Sequence, residues 1–548
     1  MASNVTPGGA LEQQFLRALA AAVQARDFDR AFGIADEALA KGIEHPRLLG
    51  LAAQKRLRRG DAEGAFPILT RARELDTRNA DILNDLGLCM MQTGRAREAL
   101  GVFDAALRQT PGSAKLFFNK ALAYEILGEL DHERRVLERV VAIDPNHVPA
   151  LNLLAMLAAD RNDAVAAKDY ASRALTISPG EIIARLALAT TELGEHNFSE
   201  VRKNLEPLLN NPALDPESRS QAETLMGDAL DGEANYAGAF RFYRSAKETL
   251  RAYYARAYAT RTDETLCARL ARLRGYFEKV PDGAWRQNGR TSNMRVREPV
   301  FLMGFLRSGT TLLGQVLAGH SDVEVMHERD CLVDAANDFI APQDGLDRLA
   351  ELSSDIASAY AEKYRARAHE YGQGLQSGIF VDKAPMMAPL LPLIAKLFPA
   401  AKVLFAIRDP RDVVLSCFRR RFAMSAEKFD MLTLSDIAQT YVATMEFAEL
   451  CRAKLGLDMF AVRHEHLTAD FETEVRKICD FLGVVWQPAM ADFGARVRTS
   501  NIDTPNIAQL ARGLSHETEG HWHHYRKELM PILPVLAPWC ARLGYPEN

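Results

Sequence analysis

A short segment between an apolar run and a helical pattern carries the residues with the clearest chemistry. The run 300–303 predicts a buried strand, and the residues after Gly304 predict a tight turn into a helix that begins at Thr310 or Thr311. The turn and the first helical residues are Arg307, Ser308, Gly309, Thr310 and Thr311. Such a turn directs backbone N–H groups, hydroxyls and a helix N-terminus at one point, which suits a phosphate or a sulfate.

The same segment departs from a nucleotide-binding P-loop at one position. Gly304 and Gly309, followed by two threonines, have the P-loop spacing, but Thr310 stands where that motif has lysine. Arg307 supplies a positive charge three residues earlier. The sequence therefore predicts an anion site that differs from the site for the β- and γ-phosphates of ATP.

A second group of polar residues follows another apolar run. Arg408 comes directly after the run 403–407, and Ser416 lies eight residues further along, about two helical turns. Both side chains can therefore hold one anion. Arg420 follows Ser416 by four residues, which predicts that it continues the same helix face.

Lys383 adds a basic residue at a further strand end, directly after the run 379–381 and Asp382. The carboxyl ends of parallel strands meet at one edge of a sheet, where ligands bind. The sequence thus predicts two separate basic groups that face one crevice, namely Arg307 with Lys383, and Arg408 with Arg420. A nucleotide charged at both its 5′ and 3′ positions requires such a pair, whereas ATP does not.

The elements that position these residues belong to the C-terminal part of the chain. Apolar strand-like runs at 300–303, 379–381, 403–407 and 459–462 alternate there with helical patterns. The alternation predicts an α/β domain with a mainly parallel sheet over residues 297–548. One long helix, about 252–277, and a polar loop up to residue 296 are predicted to connect it to what precedes.

The N-terminal part, about residues 11–251, is almost entirely helical in pattern. Pro111, Pro145 and Pro179 lie 34 residues apart, each at the end of a helix, and a helix–turn–helix unit recurs between them. A fixed period of this length resembles the tetratricopeptide repeat, which builds an α-solenoid. Weaker copies near residues 11, 47, 182 and 218 bring the expected number to about seven helix pairs. An unrelated helical bundle is the alternative, which the equal proline spacing disfavours.

Composition limits the class of protein and its partners. Apolar residues make up 48% of the 548 residues and the net charge is −5, so nucleic acid is not expected as a partner. Seven scattered cysteines without a Cys-x-x-Cys pair indicate reduced thiols and no zinc site. No stretch predicts a membrane span, and the first residues lack the basic region of a signal peptide. We therefore expect a cytoplasmic protein.

The loop from Gly304 to Thr311, the pair Arg408 and Ser416, and the segment Gly520-His521-Trp522 together resemble a sulfotransferase. The resemblance is to the tyrosylprotein-sulfotransferase-like branch, in a form fused to tetratricopeptide repeats. It covers roughly residues 297–545 and the repeats. It implies a P-loop-like sulfotransferase domain that uses 3′-phosphoadenosine 5′-phosphosulfate as donor, with no metal.

The resemblance also implies roles for single residues. The segment from Arg307 to Thr311 would hold the 5′-phosphosulfate of the donor, and Arg408, Ser416 and Arg420 would hold its 3′-phosphate. Glu328, which lies 21 residues after Arg307, matches the family's general base. Lys383 matches a lysine that faces the transferring sulfuryl group. With Arg307, these are the expected catalytic residues.

Two positions depart from the family pattern. His521 stands before the tryptophan of the C-terminal loop, where the family often has arginine or lysine, and His464 replaces a tyrosine of the tyrosylprotein branch. Both changes concern adenosine and 3′-phosphate binding. A looser expectation is that Thr499 and Ser500 contact the nucleotide.

Several alternatives stay open at this level. Glu328 could form a solvated ion pair with Arg329, and Arg408 could pair with Asp412. The group His516, His521, His523 and His524 could suggest a metal site, which is disfavoured because no cysteine stands at ligand spacing. The acceptor hydroxyl could belong to a protein tyrosine, a sugar or a small molecule, and the repeats could hold a protein or peptide acceptor. A P-loop kinase or NTPase, and a non-catalytic repeat scaffold with a relic second domain, are the competing functions.

Overall fold

The computed structural model describes residues 7–285, 298–371, 378–494, 496 and 519–546. Fourteen helices open this part of the chain. Their bounds are α1 Pro7–Gln24, α2 Phe28–Ala40, α3 Pro46–Arg58, α4 Ala62–Leu75, α5 Ala80–Gln92, α6 Ala96–Gln109, α7 Ala114–Ile126, α8 Leu130–Ile143, α9 Val148–Asp160, α10 Ala164–Ile177, α11 Ile182–Gly194, α12 Phe198–Leu209, α13 Pro216–Gly232 and α14 Tyr236–Ala259. Most of them pack as consecutive pairs, such as α3 with α4 and α13 with α14.

Local sequence explains where these helices begin and how closely they pack. Asp61 and Asp163 accept the backbone N–H three residues further on and cap α4 and α10. A Cβ at Gly87 would lie 2.5 Å from the Phe103 ring, so the α5–α6 pair needs a glycine there. The chain divides into two compact units at Thr191 and Glu192. The helices α12, α13 and α14 therefore share a unit with everything that follows.

The segment predicted as one connecting helix is two helices. The first predicted half belongs to α14, which ends at Ala259, and α15 begins at Leu266. Thr265 caps α15 by accepting the backbone N–H of Ala268. Buried Leu270, Leu273 and Phe277 then join α15 to the core of the second unit.

The second unit contains a five-stranded parallel sheet with the strand order β2-β3-β1-β4-β5. The strands are β1 Val300–Gly304, β2 Val323–His327, β3 Ile379–Lys383, β4 Lys402–Ile407 and β5 Asp458–Arg463. The four predicted runs coincide with β1, β3, β4 and β5, which confirms the α/β prediction. The edge strand β2 was not predicted.

Helices cover both faces of this sheet. Phe301 and Met303 of β1 point into one core, and Val300 and Leu302 point into the other, as expected for a strand buried on both faces. The helices are α16 Thr310–Leu317, α17 Val333–Phe339, α18 Gly345–Ala350, α19 Ser354–Glu370, α20 Leu391–Leu397, α21 Pro410–Arg419, α22 Ala426–Phe429, α23 Leu434–Leu455, α24 His464–Ala469, α25 Phe471–Leu482, α26 Arg526–Leu529 and α27 Leu533–Arg542.

The strand order places a crevice beside β1. After β1 the chain forms β2 and β3 on one side of β1, and it then crosses to form β4 on the other side of β1. In open parallel sheets, ligands bind outside the carboxyl ends of the strands where the order reverses in this way. The segments after β1, β2, β3 and β4 carry the predicted site residues.

Candidate active site

The loop after β1 has the tight geometry that its glycines suggest. A Cβ at Gly304 would lie 2.7 Å from the backbone oxygen of Ala406, so β1 and β4 could not approach each other with a side chain there. Gly309 has φ +100 and is the N-cap of α16, which begins at Thr310. The side chains of Ser308 and Thr310 are buried beside the start of this helix. The predicted turn into a helix is thus present, with its N-terminus at the crevice.

Arg307 joins this loop to the second basic group. Its Nε donates to the Ser416 Oγ at 2.9 Å, and its own backbone is left-handed, with φ +69. The two groups that the sequence suggested as separate therefore touch.

Burial and neighbouring positive charges both act on Arg307. Burial, and then the charges of Arg420 and Arg408, lower the pKa of Arg307 to about 9. A guanidinium remains protonated in proteins. The lowered pKa of Arg307 therefore means that its positive charge is electrostatically unfavourable in this place, and a bound anion would reduce that cost.

Glu328 and Lys383 meet at the ends of the neighbouring strands β2 and β3. The register pairs His327 with Lys383, and the backbone N–H of Glu328 donates to the Lys383 carbonyl at 2.7 Å. The Lys383 Nζ donates to the Glu328 Oε1 at 2.7 Å. Lys383 is fully buried, whereas the Glu328 side chain is 49% exposed. The carboxylate is therefore accessible from the crevice while a buried ammonium holds it in place.

The ion pair that Glu328 forms differs from the local alternative of a pair with Arg329. Glu328 forms its ion pair with Lys383, and the Arg329 guanidinium lies 5.0 Å from the centre of the Tyr371 ring. Glu328 also has a left-handed backbone, with φ +51. Its placement depends on the β2–β3 pairing, which is a long-range feature.

Arg408 is buried at the end of β4, as the sequence predicts. Asp412, its suggested partner, accepts the backbone N–H groups of Gly520 at 2.7 Å and of Trp522 at 2.9 Å. Burial raises the pKa of Asp412 to about 6, against the lowering effect of the nearby Arg408 charge. Asp412 thus joins the C-terminal Gly-His-Trp segment to the start of α21, close to Arg408.

Arg420 is not on the helix face that the sequence predicts. The helix α21 ends at Arg419, and Arg420 is its C-cap residue, with an extended backbone at φ −94 and ψ 139. Its Nη1 donates to the Asp228 Oδ2 of α13 at 3.3 Å. The charge of Arg420 nevertheless acts on Arg307, so it lies near the same site.

His464 lies directly against the anion loop. A Cβ at Gly309 would be 3.1 Å from the His464 Nδ1, so the ring occupies the space that a side chain at this position would need. His464, one of the two departures from the family pattern, therefore lies beside the N-terminus of α16. Thr499, Ser500 and His516 lie outside the described residues.

The C-terminal histidines each contact other groups. The His521 Nε2 lies 2.9 Å from the Asp231 Oδ1, His523 stacks on Trp522, and His524 stacks on Tyr236. Within the ranges that the structure describes, no group of three or more His, Cys, Asp or Glu side chains is arranged to hold a metal ion. The seven cysteines are free, and six of them are buried.

Sequence reasoning missed the repeat-side residues that border the site. These residues are Asp228 and Asp231 on α13 and Lys247 on α14, and their partners are Arg419, Arg420, His521 and Tyr525. Their partners are some 170 to 290 residues away in the chain. No local pattern announces such pairs. Two acids one helical turn apart are ordinary on a helix surface.

Comparison with known proteins agrees with this architecture. Residues 299–488 match the family model described as "Sulfotransferase family", and residues 56–117 match one described as "Tetratricopeptide repeat". The chain therefore contains a sulfotransferase-family domain that follows a tetratricopeptide-repeat solenoid. Among the described residues, none of the helices combines the length and apolar character needed to cross a lipid bilayer.

The similar proteins are distant. An uncharacterized protein of Aquifex aeolicus is 23% identical over 416 residues, which is 74% of this chain but only 52% of that protein. Protein-tyrosine sulfotransferase A of Caenorhabditis elegans is 22% identical over 264 residues, covering 45% of this chain and 67% of its own length. Protein-tyrosine sulfotransferase of Drosophila melanogaster is 28% identical over 260 residues, covering 45% of this chain and 51% of its own.

Two solved structures resemble the repeats. A tetratricopeptide repeat protein from Parabacteroides merdae has a TM-score of 0.34 at 16% identity and covers 43% of this chain and 93% of its own. The tetratricopeptide protein YrrB has a TM-score of 0.29 at 18% identity and covers 38% of this chain and 96% of its own.

Proposed function

We propose that this chain is an enzyme that transfers a sulfuryl group from 3′-phosphoadenosine 5′-phosphosulfate to a hydroxyl. The observation that carries the proposal is the ion pair of Glu328 and Lys383 beside the loop of Arg307. A carboxylate that can take a proton and two cations that can stabilise a leaving oxygen then border one crevice. The family match of residues 299–488 supports the same class of reaction.

The residues present fit such a donor. The loop from Arg307 to Thr311 would hold the 5′-phosphosulfate through backbone N–H groups and hydroxyls at the start of α16. Arg408 and Ser416, with Arg420 beside them, would hold the 3′-phosphate. The contact between Arg307 and Ser416 joins the two halves of this site. The charges of Arg420, Arg408 and Arg419 all act on Arg307, and several positive charges close together suit a ligand with several negative charges.

Each catalytic side chain has a separate task. When bound, the donor supplies an activated sulfuryl group on a good leaving group. Glu328 accepts the proton of the acceptor hydroxyl, for which its half-exposed carboxylate is accessible. Lys383 orients Glu328 and, with Arg307, provides positive charge where negative charge develops on the leaving oxygen. The attack proceeds in line, and these fixed side chains need no metal ion to supply that charge.

For the acceptor, we favour a tyrosine in a protein or peptide. The relatives from Caenorhabditis elegans and Drosophila melanogaster are named protein-tyrosine sulfotransferases, and the solenoid offers an extended surface on which a peptide can bind. A sugar or small-molecule hydroxyl would suit the same carboxylate. The cytoplasm is the compartment that we assign to the reaction, because its reducing conditions suit seven free thiols.

The test is sulfuryl transfer by the full chain with labelled donor and three acceptor classes: a tyrosine peptide pool, an oligosaccharide pool and a simple phenol. We expect Glu328→Gln to lower kcat by about 10²- to 10⁴-fold, the usual contribution of a general base. Glu324→Gln, on the same strand, is the matched control and should retain activity. Full activity in Glu328→Gln would remove Glu328 as the base, and transfer to none of the acceptors by the wild type would count against the enzyme.

A further inference from the structure

The last repeat hairpin, α13–α14, contacts Arg420 on both its backbone and its side chain. The Lys247 Nζ of α14 donates to the Arg420 carbonyl oxygen at 2.6 Å. The Asp228 Oδ2 of α13 accepts from the Arg420 Nη1 at 3.3 Å. Both contacts lie within the compact unit that also contains the sheet. A residue of the proposed donor site is therefore fixed by the repeat side of the chain.

The hairpin itself orients Asp228. The Tyr243 OH of α14 donates to the Asp228 Oδ1 at 2.8 Å, and the Tyr243 side chain is fully buried. The Asp228 side chain is only 10% exposed. The Asp228 Oδ1 is thus bound within the hairpin and also lies 3.6 Å from the Arg419 Nη2, whereas the Oδ2 faces Arg420.

Arg419, the residue before Arg420, has its hydrogen bond with a different carboxylate of α13. The Arg419 Nη2 donates to the Asp231 Oδ2 at 2.7 Å, and its guanidinium lies 5.3 Å from the centre of the Tyr243 ring. Two carboxylates three residues apart on α13 therefore direct two consecutive arginines differently. The Arg419 side chain is 16% exposed, whereas the Arg420 side chain is 34% exposed.

Without the contact with Asp228, the position of the Arg420 side chain would be electrostatically unfavourable. Its charge acts on Arg307, and Arg408 and Arg419 add to the same field. Like charges would push a free arginine side chain outward, and holding it in one conformation also costs rotamer entropy. Asp228 offsets both effects through its hydrogen bond from the Arg420 Nη1, and the partly exposed Arg420 side chain has further N–H groups with which to bind a second anion.

We propose that Asp228 and Lys247 are positioning residues of the donor site, which hold Arg420 in place for the 3′-phosphate of the donor. The inference rests on the proposed function, because it assumes that this phosphate binds beside Arg420. It makes the last repeat hairpin part of the donor site. The substrate class of the site is then a nucleotide with a phosphate on its 3′ oxygen.

The test is calorimetric titration of the full chain with adenosine 3′,5′-bisphosphate and, separately, with adenosine 5′-monophosphate. We expect Asp228→Asn to weaken bisphosphate binding by about fivefold and to leave monophosphate binding unchanged, since only the 3′-phosphate uses Arg420. Lys247→Met should act in the same direction. In an Arg420→Ala background, Asp228→Asn should have no further effect.

The matched control is Glu223→Gln, another buried carboxyl of α13, whose two oxygens accept from Ser245 and Thr249 within the hairpin. It should lower stability without changing either affinity. Unchanged or tighter bisphosphate binding in both Asp228→Asn and Lys247→Met would overturn the inference. A wild type that binds both nucleotides equally would instead overturn the proposed function, so the two failures are distinguishable.

Discussion

At the scale of single residues, the site is marked by backbone that side chains rarely adopt. Arg307, Glu328 and Met386 have φ values of +69, +51 and +67, and they follow β1, β2 and β3. Each such conformation costs of the order of 1–3 kcal/mol and persists only where the surroundings enforce it. Two of the three, Arg307 and Glu328, are proposed catalytic residues. The backbone conformations that place them after their strands therefore cost stability.

Gly309 allows a prediction at this scale. In Gly309→Ala, an L-residue would have to adopt a φ of +100, and its new Cβ would lie 3.1 Å from the His464 Nδ1. Because both effects are unfavourable, the start of α16 must shift. We expect the affinity for adenosine 3′,5′-bisphosphate to fall by at least tenfold, as measured by calorimetry.

The matched control is Gly483→Ala. This glycine also has positive φ, at +76, but nothing lies within 4 Å of a Cβ there. The control should lose about 1–2 kcal/mol of stability and keep its affinity. Equal affinities in the two variants would show that the loop conformation does not matter for binding.

At the scale of elements, the sequence predicted what local patterns encode. Four apolar runs became β1, β3, β4 and β5, and the glycine-rich turn became the N-terminus of α16 at Thr310. The strand β2 was missed because it is a five-residue edge strand that includes Glu324 and His327. Without β2, the sequence could place Glu328 only by resemblance, although it lies directly at that strand's end.

Other features of the site depend on distant contacts. Arg420 was expected on a helix face, but α21 ends one residue earlier, where Lys247 holds the carbonyl oxygen of Arg420. The meeting of Arg307 with Ser416 joins residues 109 positions apart. Periodicity and propensity carry no information about such pairs, so only the folded chain shows that the two basic groups touch.

The repeat helix α8 provides a prediction about pH. Burial, and then the charge of Glu125, raise the pKa of Glu133 to about 7, and Glu133 is 2% exposed. The folded state therefore binds the proton more tightly than the unfolded state. The destabilising effect of this carboxyl is absent below about pH 4.5 and grows as the pH rises to about 7.

We expect Glu133→Gln to be more stable than the wild type at pH 8, by up to about 3 kcal/mol, with little difference near pH 4.5. Thermal unfolding of the full chain at both pH values measures this. Glu138→Gln, an exposed residue of the same helix, should change little. A lower melting temperature for Glu133→Gln at pH 8 would contradict the account.

At the scale of the whole molecule, the last three repeat helices belong to the same compact unit as the sulfotransferase-family domain. The compact unit that begins at Glu192 contains α12, α13 and α14 together with the sheet. Asp231 of α13 accepts from His521, Arg419 and Tyr525. The last hairpin, the end of α21 and the C-terminal Gly-His-Trp segment are therefore joined through one carboxylate.

That carboxylate has a measurable effect on acid stability. Burial alone would raise the pKa of Asp231, but the hydrogen bond from His521 and the charge of Arg419 outweigh it and hold the pKa at about 2. The stabilisation is complete above about pH 4 and is lost as the pH falls towards 2. We expect Asp231→Asn to cost about 2 kcal/mol at pH 7 and to remove this acid transition.

Urea unfolding of the full chain between pH 7 and pH 2.5 tests the expectation. Glu472→Gln, whose partner Arg476 lies one turn away on the surface of α25, is the control and should cost under about 0.5 kcal/mol. Parallel pH profiles for Asp231→Asn and the wild type would mean that the carboxylate does not hold these elements together.

The most direct test of the central claim is calorimetric titration of the wild-type chain and of Arg408→Ala with adenosine 3′,5′-bisphosphate and with ATP–Mg²⁺. The account predicts that the wild type binds the bisphosphate more tightly than ATP–Mg²⁺. It also predicts that Arg408→Ala weakens the bisphosphate by about tenfold or more, as expected for a lost charge-assisted contact. Tight binding of ATP–Mg²⁺ without binding of the bisphosphate would contradict the account and favour a kinase or NTPase. If neither nucleotide binds, the account is also contradicted, and the non-catalytic scaffold is the function that remains.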